Sequence, residues 1–256
     1  MTTMNDPRIS RRSLIINGSG IAAAGVVLAA CSTPDPGLGR IGDAPTTTAL
    51  PEAHVSDVVL VRTLQSVEHL AVEALTDPAV AGKASAEGKA ALALFVEGHR
   101  TNLDILGNLV EGLGGESVTE PNTKMMQNYV SKAVALIAES DEPDTDVLVF
   151  AHALEALVAA TYQAFVAWAN SPVLRSRFMS LALDPSQYSA AAAQMLRPGS
   201  KGIVPGVDEN GAALVATLPS TFGELSGFSA TIGKPNEAGL KTTVNMETPS
   251  LNSLSY

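Results

Sequence analysis

Three stretches of this 256-residue chain place carboxylates and imidazoles at helical intervals suited to metal binding or to a buried hydrogen-bond cluster. In "LQSVEHLAVEAL", Leu64 to Leu75, counting helical turns from Val61 and Leu64 to Leu75 places Glu68 on the apolar stripe, where an unpaired carboxylate is costly. Its neighbour His69 falls about a third of a turn away, with Arg62, Gln65 and Glu73 on an expected solvated face. In "VFAHALEALVAATYQAF", Val149 to Phe165, three- and four-residue steps put His152, Glu155, Ala159 and Tyr162 on one face. A His and a Glu three apart can reach one metal ion from the same side of a helix. With a tyrosine hydroxyl beside them they can equally form a self-satisfied hydrogen-bond cluster between packed helices. The third stretch is "EGHRTN", Glu97 to Asn102. Glu97 and His99 are separated by two residues, or about 200° around a regular helix, so both cannot enter one site. His99 shares the apolar stripe and Glu97 faces water.

The elements that position these residues read as helices rich in alanine. Ser56 is the expected N-cap of a first helix that ends before Pro78, its apolar residues Leu60, Leu64, Val67, Ala71 and Leu75 recurring at helical steps. A second runs from about Ala84 to Leu113, with Leu92, Phe95, His99, Leu103, Leu106 and Val110 on one face and Gly114–Gly115 as its stop. A shorter amphipathic helix spans Lys124 to about Ser140, and a third long helix Thr145 to about Asn170. The fourth starts at Ser171–Pro172 and reaches Leu196, either kinked at Pro185 or split there with Asp184 capping the second piece. The last stretch, rich in Gly, Pro, Ser and Thr, holds short β-like runs such as "LKTTVNM". It should wrap the helices or form a small strand pair.

The N-terminus reads as targeting sequence. Arg8, Arg11 and Arg12 precede "IINGSGIAAAGVVLAA", a run too short and too rich in Gly and Ala to span a membrane well. The Arg11–Arg12 pair resembles a twin-arginine export signal, and "LAAC" resembles a bacterial lipoprotein processing site. Cys31 is the only cysteine, so it is the expected lipidation point and no intramolecular disulfide can form. The expected division is a signal peptide at 1–30, a Pro/Thr/Gly-rich linker at 31–54, a helical domain at 55–197 and an irregular extension at 198–256. The expected location is the outer face of the cytoplasmic membrane, with membrane lipid as the partner through Cys31.

Residues 1–30 hold three Arg and one Asp, which leaves 13 basic against 25 acidic residues in the remainder. That balance argues against nucleic acid as a partner, since phosphates require a basic patch, and against electrostatic adhesion to anionic lipid. No Gly-rich phosphate loop, G-x-S-x-G elbow or second cysteine is present. Nothing in the sequence names a protein partner, and homo-oligomerisation stays open.

The helix "LQSVEHLAVEAL", the block "LFVEGHRTNLDILGNLVEGLGGESVTEPN" and "LEALVAATYQAF", following the signal "SRRSLI…LAAC", together resemble exported ferritin-like proteins of actinobacteria, in order over roughly residues 55–195. The resemblance implies an all-α fold: a ferritin-like four-helix bundle with a long crossover between helices 2 and 3, plus the C-terminal extension. It also implies a core able to hold two iron or manganese ions, with one Glu from each of two helices and Glu-x-x-His from each of the other two. Glu68 and Glu155 match the lone glutamates. On the second helix the ligand positions fall at Thr101 and Asn102, and on the fourth they fall in "DPSQY", where Asp184 and Tyr188 are poor substitutes. With His99 and His152 as neutral ligands, Glu68 and Glu155 could hold one metal ion in an irregular site. In a metal-free bundle they would instead bond to His99, His152 or Tyr162. The expected role is therefore binding or structural, without a cofactor. The alternative is an iron- or manganese-binding protein with oxidase, peroxide-handling or metal-storage activity.

Overall fold

The computed structural model describes residues 55–199, 204, 206–214, 228–245 and 254–255. Arg11, Arg12, Cys31 and the linker lie outside the described residues. His54 to Tyr256 forms one compact unit.

The unit is mostly helical. Helix α1 spans Asp57–Thr76, its N-terminus closed by the Ser56 hydroxyl, which accepts from the Val59 amide, and by Asp57 in its first turn. Asp77 ends α1 and caps a single further turn, α2 (Pro78–Ala81), with Pro78 at its first position. Helix α3 spans Ala86–Gly112 behind the Ser85 cap and stops where Gly114 takes φ 76°, a conformation that a residue with a Cβ adopts at a cost. Helix α6 (Pro143–Trp168) is buried on nearly all sides. It is long and apolar enough to cross a membrane by length and composition, but most of it is enclosed by the other helices, as befits a central core helix.

Helix α1 packs along α3, and α6 packs along α7 (Pro172–Leu181) and α8 (Leu183–Leu196). The two groups close on each other through contacts of α6 with α1 and α3 and of α8 with α3. The core between them includes Leu60, Leu64, Phe95, Leu106, Phe150, Leu154, Phe165 and Phe178. Each such side chain contributes about 1.5–3 kcal/mol on leaving water.

Three local expectations are corrected. The α7–α8 break falls at Ala182, ahead of Pro185, and Asp184 sits in the first turn of α8 without capping it. The cause is Pro185 itself. It cannot bond the Leu181 carbonyl and its ring crowds that group, so the regular ladder ends one turn earlier. The helix expected over 124–140 is divided into α4 (Thr123–Met125), a π-helical turn at Met126–Val130 and α5 (Ser131–Ala138). The buried residues Met125, Val130, Ala133 and Ile137 explain it: the first step is five residues, and a five-residue turn keeps both ends facing the core. Finally, the α1 face expected to be solvated is largely covered by the segment after α3. Arg62 donates to the Glu116 carbonyl, Gln65 bonds Ser117 and Val118, and His69 Nε2 donates to the Val118 carbonyl at 3.1 Å.

The extension contributes two antiparallel pairs: β1 (Gly206–Val207) with β2 (Ala213–Leu214), and β3 (Ser229–Ile232) with β4 (Thr242–Asn245). The second pair completes the core, burying Phe228, Ala230, Ile232 and Val244. Asp146, itself buried, fastens it to α6 by accepting from the Gly233 amide (2.7 Å), Lys241 Nζ (2.7 Å) and the Ser140 hydroxyl (2.6 Å). At the far end of the chain Ser255 bonds Thr63 and Ser66 on α1.

Candidate functional site: a buried carboxylate–imidazole cluster

Glu68 on α1, His99 on α3 and Glu155 on α6 are each 0% exposed and meet between the helices. Each arrives there because its helix turns an apolar stripe inward, and the polar residue occupies one position of that stripe. The His99 ring lies between the two carboxylates. Nδ1 is 2.5 Å from Glu68 Oε2, and Nε2 is 2.9 Å from Glu155 Oε1. The other oxygen of Glu68 accepts from Tyr162 Oη (2.5 Å) and Asn102 Nδ2 (3.1 Å). Glu155 Oε2 is buried with no hydrogen-bond partner.

The electrostatics follow from this geometry. Burial disfavours a charged imidazole, but Glu155 and Glu68 together outweigh it and hold the His99 pKa well above its ordinary 6.5. His99 is therefore an imidazolium at neutral pH and donates through both nitrogens, one to each carboxylate. Burial raises Glu155 above its ordinary range, with His99 pulling the other way. Burial and the Glu68 charge raise Tyr162 well above 10, so it remains a phenol that donates. Within the cluster, Glu155 Oε2 is the carboxylate oxygen left without a hydrogen-bond partner.

Tyr188 on α8 covers the cluster. Its ring stacks on Phe95 at 4.6 Å between centroids and meets the His99 ring edge-on at 6.0 Å. Its hydroxyl rests over the α3 backbone at Gly98, where a Cβ would come within 1.9 Å of it. Asp184 lies close enough for its charge to help raise both Tyr162 and Tyr188, after burial as the main cause.

Of the residues singled out in the sequence, Glu68, Glu155, His99 and Tyr162 come together. His152 is buried, but its Nδ1 is directed at Ser189 on α8, 2.9 Å from both the carbonyl and the hydroxyl oxygen, and burial lowers its pKa. Thr101 bonds back to the Glu97 carbonyl on the exposed side. Asn102 is a further member that the metal-ligand pattern does not single out, although its place three residues after His99 puts it on the same face. Its amide donates to the carboxylate, a role that needs no metal.

This donor set does not fit a dinuclear metal centre. Such a centre needs about four carboxylates to offset two divalent cations, whereas here there are two, and both nitrogens of the shared imidazole are engaged. Among the described residues no group of three His, Cys, Asp or Glu side chains is arranged to hold a metal ion. No family model, curated protein or solved structure matches the chain.

Proposed function

We propose that this chain is an exported, lipid-anchored ferritin-like lipoprotein whose four-helix bundle has exchanged its metal site for a proton-held cluster. Its role would be binding or structural, at the outer face of the cell membrane. The observation that carries this reading is the His99 ring between Glu68 and Glu155. A cation is needed where two buried carboxylates converge, and the protonated imidazole supplies it from within the chain. With both nitrogens donating, His99 can serve neither as a metal ligand nor as a general base without breaking a buried ion pair. The α1–α3 and α6–α8 pairings, with a long connection between α3 and α6, are compatible with a bundle of one crossover. Export and anchoring rest on Arg11, Arg12 and Cys31 in the sequence.

One observation favours the metal-binding alternative: Glu155 Oε2 is buried and without a partner, an oxygen that a cation could take up. Metal analysis of the chain purified after export in its native host separates the two readings. The proposal expects iron and manganese far below stoichiometric amounts. Near-stoichiometric metal that is lost on Glu68→Ala and on Glu155→Ala would overturn it. The anchoring half is tested by fractionation: Cys31→Ser should move the chain from the membrane to the soluble fraction, and unchanged membrane retention would refute lipidation.

A further inference from the structure

We propose that the exposed face of α7, with Trp168 at the end of α6, is the side this chain lays against an anionic phospholipid bilayer. The inference rests on the lipid anchor at Cys31 proposed above. On α7 the buried Leu174, Phe178 and Leu181 face the core. At about 100° per residue, Pro172, Val173, Ser176, Met179 and Ser180 share an arc of about 120° on the other side, and all are exposed. Arg175 and Arg177, also exposed, stand about 40° beyond its two margins. Val173 is 73% exposed, and Leu183, four residues after Met179, is 58% exposed. Such a face sinks its apolar strip to the level of the headgroups while the flanking guanidiniums reach lipid phosphates. Trp168 is exposed where α6 meets the turn into α7, its indole stacked on Phe165 at 5.4 Å between centroids. Indoles favour this depth of a bilayer.

Two further observations select the bilayer as the occupant. The first is where the chain enters the fold. Asp57, in the first turn of α1, accepts from the Asn170 amide (2.7 Å) and the Ser171 amide (3.1 Å) in the turn between α6 and α7, so both its oxygens are engaged there. The start of the unit therefore lies at the same corner as Trp168, and residues 31–54 can span at most about 85 Å between that corner and the lipid. The second is charge. No Asp or Glu occurs between Glu155 and Asp184, although the chain after residue 30 holds 25 acidic against 13 basic residues. Acidic surface is repelled by anionic lipid, whereas the α7 arginines are attracted to it. A second copy seated on the same face would set arginines against arginines about a two-fold axis. The lipid supplies attachment, and α7 decides which side of the domain meets the bilayer.

Trp168 is the only tryptophan of the chain, so its emission reports on this corner alone. The test is to reconstitute the full chain, purified from its host's membranes, into vesicles of phosphatidylcholine and phosphatidylglycerol, with and without bromine on the acyl chains. Brominated vesicles should lower the Trp168 emission about twofold, as for an indole at the headgroup boundary. Val173→Glu combined with Arg177→Glu should abolish that quenching while the chain still floats with the vesicles. Because both side chains are exposed, this variant leaves the fold intact, which circular dichroism verifies. Flotation of the wild type without quenching overturns the inference and leaves the anchor standing, and so does quenching that survives the double substitution. Trp168 shielded from aqueous iodide but untouched by bromine would mean that a protein surface covers the face, which also overturns it. A wild type that fails to float shows that the anchor itself is wrong, and the inference falls with it.

Discussion

Replacing His99 by alanine removes the one ion-pair partner that Glu68 and Glu155 have among the described residues. Glu68 would keep Tyr162 and Asn102, but Glu155 would lose its single hydrogen bond, since its other oxygen has none. Two charge-assisted hydrogen bonds disappear, each worth about 1.5–3 kcal/mol. Breaking a buried ion pair from one side typically costs about 3–5 kcal/mol. The two figures agree, and a loss of about 3–5 kcal/mol is expected in urea unfolding of the 54–256 unit at neutral pH. Glu155→Gln is the control, because the amide oxygen still accepts from Nε2 and Glu68 still neutralises the ring. It should cost about 1–2 kcal/mol, in the range of a single weakened hydrogen bond. In the Glu155→Gln background, His99→Ala should cost at least about 1 kcal/mol less than in the wild type, since one fewer ion is stranded. A His99→Ala loss below about 1 kcal/mol, or strict additivity of the two substitutions, would refute the claim that His99 is the internal cation.

Stability should also depend on pH in a way that this residue controls. The folded pKa of His99 lies above 6.5, so its contribution is complete below pH 6.5 and is lost as pH rises through the folded value. Glu155 is also raised, above 4.5, so its contribution is complete below pH 4.5 and is lost as pH rises through its own folded value. Unfolding midpoints should therefore fall on the alkaline side, and His99→Ala should remove the step that begins above pH 6.5; a step that survives the substitution belongs to another group. Gly98→Ala should displace Tyr188 and destabilise the chain, but in a Tyr188→Ala background it should stabilise by about 1 kcal/mol through helix propensity. The same sign in both backgrounds would show that the contact is unimportant. Lys241→Ala should cost about 2 kcal/mol by removing a donor from buried Asp146, and should speed hydrogen exchange in β3 and β4 before the helices. Uniform acceleration across the unit would contradict the role of Asp146 as the fastening point.

Much of the fold was legible because helical periodicity and caps are local signals. Ser56, Ser171–Pro172 and the Gly114–Gly115 stop marked helix ends to within a residue or two, and the apolar stripes of α1, α3 and α6 were readable as such. The misjudged features depend on what lies across space. Gln65 and His69 looked solvated because nothing in α1 announces that residues 116–118 will cross over them. The π-helical turn follows from where Val130 must point, which only the packed core decides. At the site, the inward direction of Glu68, His99 and Glu155 was predictable from periodicity alone. The partner of each was not, since His152 shares a helix face with Glu155 yet finds Ser189. Asn102 was discounted because it was judged against a metal's needs and not a carboxylate's.

The most direct measurement of the central claim is the protonation state of His99, read by nitrogen NMR of the labelled ring at and above neutral pH. The expected spectrum is that of an imidazolium, with both nitrogens protonated and hydrogen-bonded, that persists above pH 6.5 and disappears in His99→Ala. A neutral tautomer at pH 7, or a ring nitrogen bonded to a metal ion, would contradict it.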